Sequence, residues 1–279
     1  MPKDLLMRAT QPEYSGVSAP KAMLVFAHPD DETIALGARL KRVGASAHIL
    51  HVTDGAPRDE RDSRALGLRS YKEYQRIREK ELLKAFEIAE IKRFQWTSLG
   101  IPDQQVCFNL PWITQEVLGL VSRHQPEVIF THPYEGGHPD HDACAFAVHH
   151  AGAEMKACGE QAPAIIEAAF YHAGAEGIET GCFLPYAQTG GEICYILSPE
   201  ERHSKRRLLS CFASQQKTLN YFSVERERFR IAPCYDFRSP PHAGKVFYDN
   251  YDWGITSQHF CELAAAAEDA MRSVVATCH

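Results

Sequence analysis

Short apolar runs alternate along the first half of the chain with longer stretches in which apolar residues recur every three or four positions. That alternation predicts strand, helix, strand, helix. "AMLVFAHP" (22–29) reads as a strand buried on both faces. "TIALGARLKRVG" (33–44) follows as a helix with Ile34, Leu36, Leu40 and Val43 on roughly one side and Gly44 as its stop. "SAHILHVTDG" (46–55) predicts a second strand, closed by the turn-forming Asp54-Gly55, and a charged loop, "APRDERDSRALGLRS", comes next. Residues 71–91 set Tyr74, Ile77, Leu82, Ala85 and Ile88 among charges, the pattern of an amphipathic helix. "RFQWTSLG" predicts a third strand, 110–126 a helix with Pro111 near its start, "EVIFTHP" (127–133) a fourth strand, and "DHDACAFAVHHAGAEM" another helix.

Strands alternating with helices imply an α/β protein: a Rossmann-like three-layer fold, its sheet mostly parallel, with helices on both faces and right-handed crossovers. Beyond about residue 165 the pattern weakens. "AAFYHAG" and "EICYILS" read as strands, 199–219 as a helix and 258–276 as a closing helix. The expectation is a single domain over 1–279, with a motif-bearing core at 20–150. Residues 151–279 then continue the sheet and form a C-terminal elaboration that shapes the substrate pocket.

Composition narrows the function. With 279 residues and 44% hydrophobic content the chain can bury a full core, which excludes a disordered protein. The formal net charge is −6, and Lys and Arg are dispersed apart from clusters such as Lys205-Arg206-Arg207, so no basic footprint suits a nucleic acid or an anionic membrane. No apolar stretch approaches the roughly 18 residues of a membrane span, and "MPKDLLMRATQPEYSGVSAPKAM" holds no signal-peptide run; a cytoplasmic location is expected. Nine cysteines, none spaced Cys-x-x-Cys, indicate neither a disulfide framework nor a thiolate zinc site, and read as reduced thiols mostly in the core. Gly37 and Gly44 do not form the Gly-x-Gly-x-x-Gly of a dinucleotide loop.

In open α/β sheets, ligands bind outside the carboxyl ends of the strands. Here the first strand ends in His28-Pro29-Asp30-Asp31-Glu32, and the fourth in "THPYEGGHPDHD", with His132, Glu135, His138, Asp140, His141 and Asp142. Consecutive acids repel unless something cationic sits among them. Imidazole and carboxylate from two strand ends suit a divalent ion such as Zn²⁺, and three ligands leave a position open for water.

"AHPDDE" closing the first strand and "HPDH" about a hundred residues later resemble the PIG-L/LmbE-like family, zinc-dependent de-N-acetylases of N-acetylglucosaminyl compounds. "RIREKELLKAF" and "LGIPDQ" resemble family segments that face the sugar, and beyond residue 150 the resemblance is confined mainly to "YDNYDWG". Carried over, it implies His28, Asp31 and His141 as metal ligands and Asp30 as general base. It further implies His138 as the group that polarises or protonates the reacting amide, Asp140 as its orienter, and Arg78 and Asp103 as substrate-binding. The local chemistry agrees, because adjacent residues in a turn project differently: one acid can ligate while its neighbour faces the attacking water. Both Zn²⁺ and Fe²⁺ suit two histidines and one aspartate.

The implied partner is a small N-acylated amino sugar or its conjugate, with a homo-oligomer left open. Alternatives are an amidase for a non-sugar or thiol-conjugate amide, a metal phosphoesterase and a non-catalytic α/β binding module. Other polar residues have plainer readings. Glu32 supports the turn, Asp142 is a first-turn acid favoured by the helix dipole, and His51 and His132 are surface or hydrogen-bonded core histidines. His149, His150 and Cys144 are packing. Arg78 either holds substrate or pairs with a helix acid such as Glu81. The loops 53–70 and 239–254, the second with His242, Tyr248 and Trp253, are long enough to border a pocket.

Overall fold

The side chains of Ala22–Phe26 (β1) are all buried and alternate between two separate apolar cores: Ala22, Leu24 and Phe26 enter one, Met23 and Val25 the other. A strand covered by helices on both faces has no polar side, which is why this stretch reads as an unbroken apolar run. The computed structural model describes residues 2–11, 19–186 and 191–277.

Around β1 the chain runs α1 (Pro2–Thr10), then after β1 α2 (Asp31–Leu36), α3 (Leu40–Gly44), β2 (His48–Pro57), α4 (Arg61–Ala65), α5 (Tyr71–Ile88), β3 (Trp96–Asp103), α6 (Leu110–His124), β4 (Val128–Thr131) and α7 (Pro139–Ala157). The second half adds β5 (Ala164–Ala168), β6 (Tyr171–Gly174), β7 (Gly177–Thr180), β8 (Glu192–Ile196), α8 (Pro199–Leu209), α9 (Gln216–Leu219), β9 (Arg226–Ile231) and α10 (Ser257–Thr277). Seven strands form one sheet in the order β3-β2-β1-β4-β5-β9-β8. The first five are parallel, and β9 and β8 extend the sheet antiparallel. Helices α1, α2, α3, α5 and α8 pack on one face, α6, α7 and α10 on the other. This is the expected three-layer α/β fold. Because β2 and β4 flank β1 on opposite sides, the strand order reverses beside β1, and the crevice of such a fold opens at the carboxyl ends of β1 and β4.

Several elements depart from the sequence reading. The helix expected over 33–44 is two helices. Its Ile34-to-Ala38 hydrogen bond is replaced: Lys205 Nζ donates to the Ile34 carbonyl at 2.7 Å, and the Ala38 N–H donates to Glu227 Oε1 at 2.9 Å. Gly37 leaves room for this, since a Cβ there would lie 2.7 Å from Cγ of Lys205. The expected 199–219 helix stops at Leu209 and resumes only as α9, the charged loop contains α4, and residues 93–95 form a 3₁₀ turn ahead of β3. The strand expected at 168–174 begins at Tyr171 and pairs with β7 in a separate hairpin.

Strands β5 and β9 were not anticipated. In β9, "RERFRI", the charged Glu227 and Arg230 are buried beside Phe229. The cysteines also differ from expectation. Of the eight among the described residues, Cys107, Cys144, Cys211 and Cys261 are buried, Cys158, Cys194 and Cys234 are exposed and Cys182 is intermediate; Cys278 lies outside the described residues. Among the described residues, no helix is long and apolar enough to cross a membrane.

Candidate active site

After β1 the backbone turns at Asp30 with φ 139°, a region an L-residue occupies under strain. The turn is held from several sides. Its N–H donates to Glu32 Oε2 at 3.1 Å, and its carboxylate lies 3.2 Å from Nη1 of Arg78 on α5. Glu32 is fully buried, bonded to His51 Nε2 at 2.9 Å and to the Thr33 hydroxyl at 2.8 Å, while His51 Nδ1 accepts the indole N–H of Trp96. Glu32 and His51 are therefore supports, as read. Asp31 opens α2, and its Oδ2 accepts the His28 N–H at 2.7 Å. Arg78 reaches Asp30 by passing over Gly55 (φ +66°), where a Cβ would sit 2.9 Å from Nε.

The second wall follows β4. Residue 137 must be glycine, because a Cβ there would lie 2.1 Å from the carbonyl oxygen of Tyr171. His138 then caps α7, its Nδ1 accepting the Asp140 N–H at 3.2 Å. Asp142 Oδ1 accepts the Gly136 N–H, so this first-turn acid also ties the histidine loop to the helix. The buried carboxylate of Asp140 fastens the loop after β3, accepting the N–H groups of Gln104 at 2.6 Å and Val106 at 3.0 Å. It lies 3.9 Å from His138 Nδ1, so the expected orientation of His138 comes from the Asp140 backbone and not from its carboxylate.

The structure brings all eight expected residues together. His28 Nδ1, Asp31 Oδ2 and His141 Nε2 are separated by 3.3, 3.3 and 3.6 Å. Tetrahedral coordination with bonds of about 2.0–2.1 Å has ligand-to-ligand edges of about 3.3–3.4 Å. The three atoms thus form one face of such a tetrahedron, and the residues fit a divalent metal. Asp103 Oδ1 lies 3.0 Å from His28 Nε2 and 3.7 Å from His138 Nε2, across the same cleft.

One neighbour is the hydrogen-bonded core histidine that the sequence reading allowed, its Nε2 accepting the Ala27 N–H at 3.0 Å, and it also borders this centre. His132 is fully buried, stacks on the His141 ring at 3.8 Å and places Nε2 3.3 Å from Asp31 Oδ2. The available signal was its position, directly after an apolar strand, as His28 stands after β1. Of the two loops, 239–254 contributes Trp253, whose ring is 4.8 Å from that of His138, whereas Tyr248 is core and His242 bonds only the next carbonyl. His149 and His150 lie away from the cleft, near Glu167 and Glu268.

Charge is distributed unevenly across the cluster. Burial opposes ionisation of Asp31, yet His141 and His132 hold its carboxyl well below the usual range. Burial and His132 keep His141 well below the usual imidazole range, and burial with His28 lowers His138 to about 4. Burial raises Asp30 to about 7 against the pull of Arg78. Burial disfavours a charged His28, but Asp103, Asp140 and Asp31 together raise it well above its ordinary value. Asp31 and His141 are thus held in the protonation states of metal ligands, while the raised His28 shows that the surrounding acids favour positive charge where the three donors meet, whether a proton or a cation.

A mostly parallel α/β sheet carrying a His/Asp centre at its switch point defines the class of this protein. Residues 23–152, a little under half of the chain, are similar to the family model described as "PIG-L: GlcNAc-PI de-N-acetylase". The chain is 24% identical over 250 residues, 71% of this chain and 72% of the relative, to the 1D-myo-inositol 2-acetamido-2-deoxy-alpha-D-glucopyranoside deacetylase of Corynebacterium urealyticum. A probable N-acetylglucosaminyl-phosphatidylinositol de-N-acetylase of Schizosaccharomyces pombe is 27% identical over 132 residues, 44% of this chain and 48% of that protein. Among solved structures, a deacetylase of the teicoplanin biosynthesis pathway superposes with a TM-score of 0.57 at 18% identity, covering 75% of this chain and 96% of that one, a likeness of fold.

Proposed function

We propose that this protein is a zinc-dependent hydrolase that removes the N-acetyl group from an N-acetylglucosamine-type sugar or its conjugate. The observation that carries the reading is the triangle of His28 Nδ1, Asp31 Oδ2 and His141 Nε2 beside the strained, Arg78-braced carboxylate of Asp30. The names of the relatives supply the substrate class.

A zinc ion held by His28, Asp31 and His141 supplies Lewis acidity at that point. Asp30 takes a proton from the attacking water and returns it to the departing nitrogen, so the carboxylate is regenerated and the products are acetate and a free amine. His138 Nδ1 already accepts the Asp140 N–H, which places the proton of the neutral ring on Nε2, where it can bond the amide oxygen as negative charge develops. Arg78 fixes Asp30, and Asp103 faces His28 and His138 across the cleft, in reach of a sugar hydroxyl.

The test is metal content by mass spectrometry together with acetate release from a panel of N-acetylglucosaminides. Bound zinc with acetate release that a chelator abolishes and zinc restores supports the reading. Acetate release unaffected by chelation removes the metal from it, and bound zinc with no acetate from any sugar removes the substrate class.

A further inference from the structure

A second cluster of unlike donors lies outside the cleft, on the β6–β7 hairpin. His172 and Glu179 are register partners across this antiparallel pair, so their side chains leave the hairpin on one face. Just after β7 the chain turns at Gly181 (φ +70°), whose N–H donates to the Phe170 carbonyl at 2.7 Å, and the turn carries Cys182 back to the same face. Cys182 Sγ lies 3.7 Å from His172 Nε2 and 3.3 Å from Glu179 Oε1, and the three donor atoms all lie within 4.8 Å of one another.

We propose that this hairpin holds a soft divalent cation of the zinc type through His172 Nε2, Glu179 Oε1 and Cys182 Sγ, a centre distinct from the one at His28, Asp31 and His141.

Geometry supports this twice over. Tetrahedral zinc with bonds of about 2.3 Å to sulfur and about 2.0–2.1 Å to nitrogen or oxygen has edges of about 3.5 Å from sulfur to its neighbours, the average of the two separations here. His172 is also oriented as a ligand. Its ring is buried, and Nδ1–H donates to the Ala173 carbonyl at 3.1 Å, which leaves the lone pair on Nε2 facing the thiol. Metal-binding histidines are held in this way by a hydrogen bond from their other nitrogen.

The location gives such a cation a consequence. Tyr171, next to His172, packs its ring 5.5 Å from that of His141, and the Leu184 N–H donates to Glu135 in the histidine loop at 2.8 Å. Both ends of the hairpin segment therefore touch the wall of the candidate active site, and a cation across its middle braces that wall.

Cobalt titration of the metal-stripped full chain separates the two centres. Only a centre with a thiolate gives the near-ultraviolet sulfur-to-cobalt charge-transfer band, and neither His28, Asp31 nor His141 can supply it. The wild type is expected to bind about two cobalt ions per chain and to develop the band. Cys182→Ala is expected to lose the band and one equivalent while keeping the other, and Asp31→Asn to keep the band. Glu179→Gln, at an exposed position that leaves packing untouched, is expected to weaken the band-forming equivalent about tenfold or more. No band in the wild type at saturating cobalt, or a band that survives in Cys182→Ala, overturns the proposal. Neither result bears on the deacetylase reading, which acetate release decides separately.

Discussion

Two of the clusters of buried charge in this fold resolve their charges in opposite ways. On one face of the sheet Glu227 is enclosed: Arg39 Nη1 lies 2.5 Å from Oε2, while Lys205 Nζ at 3.0 Å and the Ala38 N–H at 2.9 Å satisfy Oε1. The cations are satisfied too, with Arg39 Nε on the Thr10 carbonyl and Lys205 on that of Ile34. At the carboxyl ends of β1 and β4, by contrast, His28 Nδ1, Asp31 Oδ2 and His141 Nε2 face one another across 3.3–3.6 Å, three atoms with lone pairs around a common point. A structural cluster closes on itself, whereas a binding cluster converges on a point that lies between its members. The count of buried charges does not tell the two apart; the direction of their lone pairs does.

The comparison can be broken most sharply at the open cluster. His141→Ala is expected to lose the metal of that centre and all acetate release. Asp30→Asn is expected to keep the metal and lose activity about 10²- to 10⁴-fold, the usual share of a general base. Measuring metal content and kcat on the same preparations distinguishes ligand from base, and an Asp30→Asn enzyme with wild-type kcat would falsify the base assignment.

The closed cluster should respond in stability instead. Glu227→Ala strands a guanidinium and an ammonium in the core, and urea unfolding should show a loss of about 3–5 kcal/mol, with the remaining folded protein still binding metal. Loss of metal with unchanged stability would reverse the assignment of the two clusters. A smaller effect is expected at the rim: Trp253→Ala, beside His138, should raise KM for an N-acetylglucosaminide several-fold, about 1 kcal/mol of lost ring contact, with kcat nearly constant.

The smallest effect belongs to a histidine pair whose charged neighbours Arg123 and Lys21 are cationic. His48 stacks on His124 at 3.9 Å at the opposite end of the sheet, and burial, with His124 and Arg123, lowers its pKa to about 4. The unfolded chain takes up this proton below about pH 6.5 and the folded chain does not, so stability falls as pH drops from 6.5 towards 4. His48→Gln should flatten that part of the Tm-against-pH curve by about 1 kcal/mol or less, since the pair is partly open to water. A curve unchanged by the substitution would place the acid sensitivity elsewhere.

How much of this was legible follows from how far each signal travels along the chain. β1 and β4 were readable because both of their faces are apolar, and the site was readable because histidines and acids stand where those runs stop. The β9 strand was not, because Glu227 and Arg230 look like surface residues until their buried partners are known. The break between α2 and α3 was equally hidden, for it depends on Lys205 and Glu227, 171 and 189 positions from the groups they bind. His132 carried the same signal as any histidine after an apolar run, and its stack on His141 and its contact with Asp31 set it apart. The cluster on the hairpin has no spacing motif at all, since strand register brings His172 and Glu179 together.

That broken helix also sets an order in time. A chain is made from its N-terminus, and every expected ligand of the cleft has been synthesised by residue 141. Until Lys205 and Glu227 follow, the Ile34 carbonyl and the Ala38 N–H lack the partners that hold α2 and α3 apart. A nascent chain halted before β9 would thus hold its whole set of ligands on an unfinished scaffold. The shape of the segment beside Asp30 and Asp31 is settled by β9, the last strand among the described residues.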